Sequence, residues 1–235
     1  MSEAAARWLL RSLELRSDTL LCLASGVSPR RAYGLFARRC AARPQLFRRL
    51  RVIKLDEWGG LAMDDPASCE RHLQEAIVQP LRLGRRYIGF RSDAPVPEDE
   101  CSRIKGWLNR NGPIHACVLG LGINGHLGFN EPAPCLKPQA HVAVLSPESL
   151  RHGTLARGRT QPQYGLTLGM ADLLAARRIL LLVSGSRKAG PLDDLLRGVI
   201  TPRFPASFLW LHPDVTILCD EAAATRLPPH LRNGT

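Results

Sequence analysis

Aromatic residues make up only 6% of this 235-residue chain, and lysine supplies just four of its 32 basic side chains. No run of about 18 apolar residues occurs, which excludes a helical membrane span. The N-terminus, Met1-Ser-Glu-Ala-Ala-Ala-Arg-Trp8, carries an acidic residue and soon meets arginines at 7, 11 and 16. It lacks an apolar core with a small-residue cleavage site, so no secretory signal is expected and the cytoplasm is the expected compartment. Cys-x-x-Cys is also missing. The seven cysteines, at 22, 40, 69, 101, 117, 135 and 219, are odd in number and several lie in apolar runs, which predicts buried reduced thiols. No paired ligands stand at metal-binding spacing, so no metal site is expected. Internal repeats, low-complexity tracts and interdomain linkers are absent as well.

The formal net charge is +11. Such a balance attracts anions and raises the question of nucleic acid. The arginines are scattered, however, at 30–31, 38–39, 48–51, 82–86 and 177–178, with no basic-aromatic platform or zinc finger beside them. An arginine-rich solvated surface is the expectation, with no nucleic-acid partner.

Hydrophobic pattern and punctuation alternate between strands and helices. Helices are expected over 3–14, from Pro29 to about 41, over about 66–79, from Pro97 to Asn111 and over 186–197. Strands are expected at Thr19–Ala24, Leu50–Leu55, 87–90, His115–Gly120, Ile179–Val183, 207–211 and 215–219. Residues 133–165 are richer in Pro, Gly, Gln and Arg and read as a mobile excursion, a lid. The whole length, 45% hydrophobic, is enough for one parallel-sheet α/β domain.

Ligands of such sheets gather beyond the C-terminal ends of the strands. Four polar or glycine-rich segments directly follow expected strands: Ser25-Gly26, Asp56-Glu57, Gly120 to Glu131 and Gly185-Ser186. Ser25-Gly-Val-Ser-Pro29 offers a free backbone, two hydroxyls and a helix N-terminus for an anion. Read alone it is equally an ordinary turn in which Ser28 caps the helix. Lys188, on the first turn after Gly185-Ser-Arg, is either a phosphate-holding charge or a surface lysine. Asp56 and Glu57 are adjacent carboxylates at a strand end, suited either to capping or to removing a proton beside a carbonyl. They point opposite ways in an extended chain, so only one can face the cleft.

The strongest signal is Gly120-Leu-Gly-Ile-Asn-Gly-His-Leu-Gly-Phe-Asn-Glu-Pro132. Four glycines free the backbone around His126, which exchanges protons near neutral pH, and Glu131 lies five residues on to orient its charged form. The spacing is not that of a dinucleotide-binding Gly-x-Gly-x-x-Gly, and no acidic ribose ligand follows about 20 residues later.

At these residues the chain resembles the glucosamine-6-phosphate deaminase/6-phosphogluconolactonase superfamily, and within it the galactosamine-6-phosphate isomerase/deaminase branch. The likeness runs in order through Ala24 to Pro29, Lys54-Leu-Asp-Glu-Trp58, Gly120 to Pro132, Gly165-Leu-Thr-Leu-Gly169, Gly185-Ser-Arg-Lys188 and Pro205 to His212. The resemblance implies a single three-layer α/β domain with a mostly parallel, Rossmann-like sheet, acting without metal or organic cofactor on a small sugar phosphate. It implies that His126 opens the sugar ring with Glu131 as its partner, and that Asp56 moves a proton from C2 to C1. By the same analogy Ser25, Gly26, Ser28 and Lys188 hold the phosphate, with Gly125 and Glu57 also at the substrate. The implied reaction converts galactosamine 6-phosphate to tagatose 6-phosphate and ammonia. Glucosamine-6-phosphate deamination, lactone hydrolysis and non-catalytic sugar-phosphate binding are the alternatives, in that order.

Three departures from the family pattern stand out. Asn124 occupies the place of an aspartate, which leaves the His126 pair to rest on Glu131 alone. A phosphate-binding arginine of the glucosamine-type enzymes falls near Leu155, with Arg151, His152 or Arg157 as replacements. The basic positions of an allosteric amino-sugar site fall at His141 and Ala143, so no such activation is expected. The resemblance also implies a strand and more helix ahead of the region matching Met1 to Leu15; a sheet edge left open there would weaken the fold or invite a homo-oligomer.

Overall fold

A computed structural model describes residues 1–15 and 18–232. Its strands are β1 (Leu20–Leu23), β2 (Arg51–Lys54), β3 (Asp56–Gly59), β4 (Tyr87–Ile88), β5 (Ala116–Gly120), β6 (His141–Ala143), β7 (Tyr164–Thr167), β8 (Ile179–Val183) and β9 (Val215–Cys219). The helices are α1 (Ser2–Glu14), α2 (Val27–Ala41), α3 (Cys69–Leu73), α4 (Pro97–Asn111), α5 (Pro147–Leu150), α6 (Met170–Leu174), α7 (Ala189–Leu196) and α8 (Pro229–Arg232). Pi-helical turns over Gln74–Val78 extend α3.

Six strands form one sheet in the order β4-β2-β1-β5-β8-β9, every neighbouring pair parallel. Strands covered on both faces read as unbroken apolar runs, and β1 and β8 are buried at every position. Alternate residues then feed two cores. Leu20, Cys22, Cys117, Leu119, Ile179 and Leu181 face one layer; Leu21, Leu23, Ala116, Val118, Leu180 and Leu182 face the other. This is the three-layer α/β architecture expected, with helices on both sides of a parallel sheet.

Helix α4 spans the expected residues. Pro97 suits its first turn, and Glu98, Asp99 and Glu100 place negative charge at the positive end of the helix dipole. The expected strand at 207–211 is instead a 3-10 helix, Pro205–Leu211. Proline fixes the first turn and lacks the N–H a ladder needs. Burial there recurs at Ala206 and Leu209, three apart, while Trp210 and Leu211 are exposed.

The second departure is a three-stranded antiparallel sheet, β3-β7-β6, which the sequence pattern did not signal. Asp56 and Glu57 therefore lie in a strand, not in a loop after one. The expected excursion at 133–165 contains β6, α5 and a 3-10 turn at Leu155–Arg157. A third apolar cluster lies beneath it: Trp58, Leu61, Ala67, Cys69, Phe129, Ala143, Leu145 and Leu155.

The chain passes from the first sheet to the second between Lys54 and Asp56. Lys54 is fully buried, its ammonium 2.6 Å from Glu57 Oε2 and 2.6 Å from Glu70 Oε2. Glu57 Oε1 also accepts from the backbone N–H groups of Trp58 and Cys69, each at 2.8 Å, and Oε2 from that of Glu70 at 2.7 Å. Tyr87 donates its hydroxyl to Glu70 Oε2 at 2.7 Å. Burial pulls the Lys54 ammonium down, but the two carboxylates outweigh it and the net direction is up, so the lysine stays charged.

Replacing Glu57 with alanine leaves Lys54 with one partner and two helix-terminal N–H groups with none. A stability loss of about 3–5 kcal/mol is expected, read as a lower urea midpoint; an unchanged midpoint would contradict this role.

Candidate active site

The order in which strands are added reverses between the parallel neighbours β1 and β5: from β1 the chain builds outward through β2 and β4, and from β5 through β8 and β9. Crevices at such switch points, beyond the carboxyl ends of the strands, are where open parallel sheets hold ligands. The segments after β1, β2, β5 and β8 carry nearly all the residues singled out from the sequence.

After β1, Gly26 turns at φ 110° and starts α2 with no side-chain cap. After β8, Gly185 turns at φ 91° and leads into Ser186–Lys188. Glycine tolerates these angles where other residues are strained. The two turns are tied directly, Ser28 Oγ lying 2.5 Å from Ser184 Oγ. Ser28 thus does not cap its own helix; it bridges to the other loop across the end of β5. Each turn is also braced from behind. Gly26 N–H donates to His72 Nδ1 at 3.1 Å, and Gly185 N–H to both Asp220 oxygens at 3.0 and 3.1 Å. The Gly26 N–H is thus already engaged, while the start of α2 has no side-chain cap. Burial, with Arg187 adding to it, lowers Lys188 to about 8, so its charge is held at neutral pH but lost in mild alkali.

After β2, Asp56 is half-buried and its Oδ1 is sealed from solvent without a hydrogen-bond partner. Burial raises this carboxyl to about 7; the charge of Glu57 adds to the shift and that of Lys54 opposes it. Glu57 points the other way, fully buried in the ion cluster with both oxygens engaged. Its expected place at the substrate is therefore corrected: it holds the strand-to-helix junction and does not reach the crevice.

After β5, the glycine-rich segment carries the histidine. Gly125 sits at φ 83°, where a Cβ would strike the Phe204 ring, and a Cβ on Gly122 would strike the His126 ring itself. Gly128, at φ 58°, lies against Thr167 Oγ1, which also accepts from Phe129 N–H at 3.2 Å. Thr167 pairs with Asp56 in the second sheet, so this one residue links the Asp56 strand to the histidine loop.

His126 Nδ1 lies 3.5 Å from Glu131 Oε2, the two side chains 19% and 11% exposed. Asn124 donates from Nδ2 to Glu131 Oε2 at 2.9 Å and accepts the His126 backbone N–H on Oδ1 at 3.2 Å. Burial would raise Glu131, but His126, Ser149 and Asn124 together hold it down at about 2, so it is a carboxylate at any working pH. An aspartate at 124 would set two carboxylates against each other; the amide donates instead.

Ser146, Ser149, Ser184, His72 and Thr167 were not singled out from the sequence. Serines and a threonine in polar loops give no periodic signal, and only the fold brings them to the site. His152, one of three candidates for the missing arginine, feels the charges of Lys188, His126 and Arg187, while Nδ1 is engaged with Thr154 Oγ1 at 2.8 Å. Arg151 and Arg157 are exposed. Among the described residues no group of three or more His, Cys, Asp and Glu stands ready for a metal ion, and no helix is long and apolar enough to cross a membrane.

An acceptor that gains its charge near neutrality, a histidine–glutamate pair and a lysine that loses charge in mild alkali predict a bell-shaped pH profile. Activity as kcat/KM should rise through about pH 7 as Asp56 loses its proton and fall above about pH 8 as Lys188 loses its own. A flat profile between pH 6 and 9, read from initial rates, would refute both assignments.

A family model described as glucosamine-6-phosphate isomerases/6-phosphogluconolactonase matches residues 1–217. The chain is 38% identical over 219 residues to "Putative deaminase AgaI" of Escherichia coli (strain K12), covering 93% of this chain and 87% of that one. It is 34% identical over 236 residues to glucosamine-6-phosphate deaminase 1 of Bacillus subtilis (strain 168), covering 97% and 96%. Among solved structures, a monomeric glucosamine-6-phosphate deaminase superposes with a TM-score of 0.89 at 33% identity, covering 96% and 95%.

Proposed function

Because the chain belongs to the glucosamine-6-phosphate isomerase/6-phosphogluconolactonase family, we propose that it isomerises and deaminates a hexosamine 6-phosphate, with galactosamine 6-phosphate as the substrate. It is an enzyme of the amino-sugar-phosphate deaminase kind. The observation that carries the reading is Asp56: a carboxylate with a sealed, unpartnered oxygen and a proton affinity near neutrality, set at the mouth of a parallel sheet.

The phosphate rests on the Ser25–Ser28 turn and Lys188, with His152 reaching toward it from residues 133–165. His126 takes the proton of the C1 hydroxyl and delivers it to the ring oxygen as the C1–O5 bond breaks, which leaves the C1 oxygen as the aldehyde. Glu131 stabilises the imidazolium before transfer. Asp56 then takes the C2 proton as electrons shift to the aldehyde oxygen, which gains a proton as the C2 nitrogen gives one up, and the same carboxyl returns a proton to C1. The resulting imine at C2 adds water and releases ammonia, leaving the ketose 6-phosphate. A base with an affinity near 7 suits both the removal and the return. Lactone hydrolysis gives Asp56 no such task. The galactosamine assignment rests on the resemblance of the ordered motifs from Ala24 to His212 to that branch; the similarity to named glucosamine-6-phosphate deaminases supports the epimer as the alternative.

Asp56→Asn keeps the shape and removes the base. Turnover should fall by about a thousandfold or more, with affinity for a ketose 6-phosphate product held within a fewfold; retained turnover would remove Asp56 from the mechanism. An ammonia-release assay on the two 6-phosphates should show the higher kcat/KM with galactosamine, and the reverse order would reassign the substrate.

A further inference from the structure

Helix α5 is a single turn on the surface, and Pro147, Glu148 and Leu150 on it are exposed. Ser149 alone faces inward, 2% exposed. Its hydroxyl donates to Glu131 Oε1 and lies 3.5 Å from His126 Nδ1. Ser146, the cap of the same turn, accepts the Ser149 backbone N–H at 3.1 Å and the second Asn124 N–H at 3.3 Å. Three contacts from two residues of the 133–165 segment thus land on one carboxylate–imidazole pair and its amide neighbour.

We propose that Ser149 is a positioning residue for the His126–Glu131 pair, so that the ring-opening acid is complete only while the 146–149 turn lies against it. The inference rests on the reading above, in which that pair opens the sugar ring. Each oxygen of Glu131 has a separate task. Ser149 occupies Oε1, and this turns Oε2 toward His126 Nδ1 and Asn124. With a carboxylate at Nδ1, the neutral ring carries its proton there and Nε2 is left free for proton exchange in the crevice. Without the hydroxyl, Glu131 keeps only the Asn124 donor on Oε2 and is free to rotate, and the histidine loses its fixed tautomer.

The segment is held by the β6–β7 ladder and by Leu136, Ala140 and Val142 against the first core, while Ala143, Leu145 and Leu155, on either side of the 146–149 turn, pack with Trp58 and Phe129 in the third cluster. The turn that carries Ser149 is thus seated on the third cluster. Among the described residues the pair is touched by the uncharged Asn124 and Ser149, and His152, carried beyond α5, feels the charge of His126 together with those of Lys188 and Arg187.

The test compares Ser149→Val with Ser149→Thr in the full chain, two side chains of one shape that differ in the hydroxyl. Ser149→Val should lower kcat by about tenfold or more with KM within about threefold, and Ser149→Thr should restore it. In a Glu131→Gln background the valine should cost less than about twofold, because the partner it acts through is gone. Inhibition by an open-chain 2-amino-2-deoxyhexitol 6-phosphate, which needs no ring opening, should be unchanged. Histidine 15N shifts, measured without turnover, should show the neutral His126 ring leaving the Nδ1–H tautomer in the valine variant and keeping it in the threonine variant. An unmoved tautomer with unmoved kcat would overturn the inference, as would a valine effect undiminished beside Glu131→Gln. Failure of the wild-type chain to release ammonia from either hexosamine phosphate, with the tautomer shift still present, would sink the reading of the activity and leave the positioning role standing.

Discussion

The change of direction between Lys54 and Asp56 governs the rest of the molecule. There a strand leaves the parallel sheet and its continuation enters the antiparallel one, with the buried Lys54–Glu57–Glu70 cluster clamping the junction. An ammonium between two carboxylates is tolerable in a core only because every oxygen of Glu57 meets an N–H or the ammonium itself. The cluster closes the start of α3, aligns the β3–β7 ladder, and by fixing Glu57 inward obliges Asp56 to face outward. The nearby negative charge of Glu57 then adds to burial in making Asp56 hold its proton more tightly. A structural ion pair and a chemical property of the site have one cause.

The anion turns follow a different economy. Gly26 and Gly185 adopt angles open chiefly to glycine, yet neither turn is loose: His72 holds one and Asp220 the other, and two serines join them. Little conformational freedom is left to lose when a phosphate arrives. Opposite them, Asn124 spends its amide in both directions, on the backbone of His126 and on Glu131. The family aspartate at this place would set a second negative charge against Glu131; the amide donates to it instead.

The parallel sheet was legible because strands buried on both faces are unbroken apolar runs, and Thr19–Ala24, His115–Gly120 and Ile179–Val183 are such runs. The helix at 97–111 was legible from its proline, its acidic first turn and its apolar spacing. The second sheet was not, since its strands are three or four residues long and draw on partners far away in the chain. At Pro205–Leu211 an apolar run concealed a three-residue period. Asp56, His126 and Glu131 stood out because carboxylates and a histidine beside glycines are unusual after a buried strand. The opposed directions of Asp56 and Glu57 followed from strand geometry, but which one faced the crevice depended on Lys54 and Glu70, sixteen residues apart. Ser149 left no trace in the sequence at all.

The third apolar cluster sets aside a small territory of its own. Eight side chains, three of them from the 133–165 segment, cohere apart from the two layers that hold the central sheet. Strand β6 of that segment nonetheless pairs with β7, which pairs with the Asp56 strand, and Ser149 reaches the His126–Glu131 pair. The exposed positions of the segment are therefore separable from its inward ones. Its outer face can vary while His141–Ala143 and Ser149 stay bound to the groups that move protons.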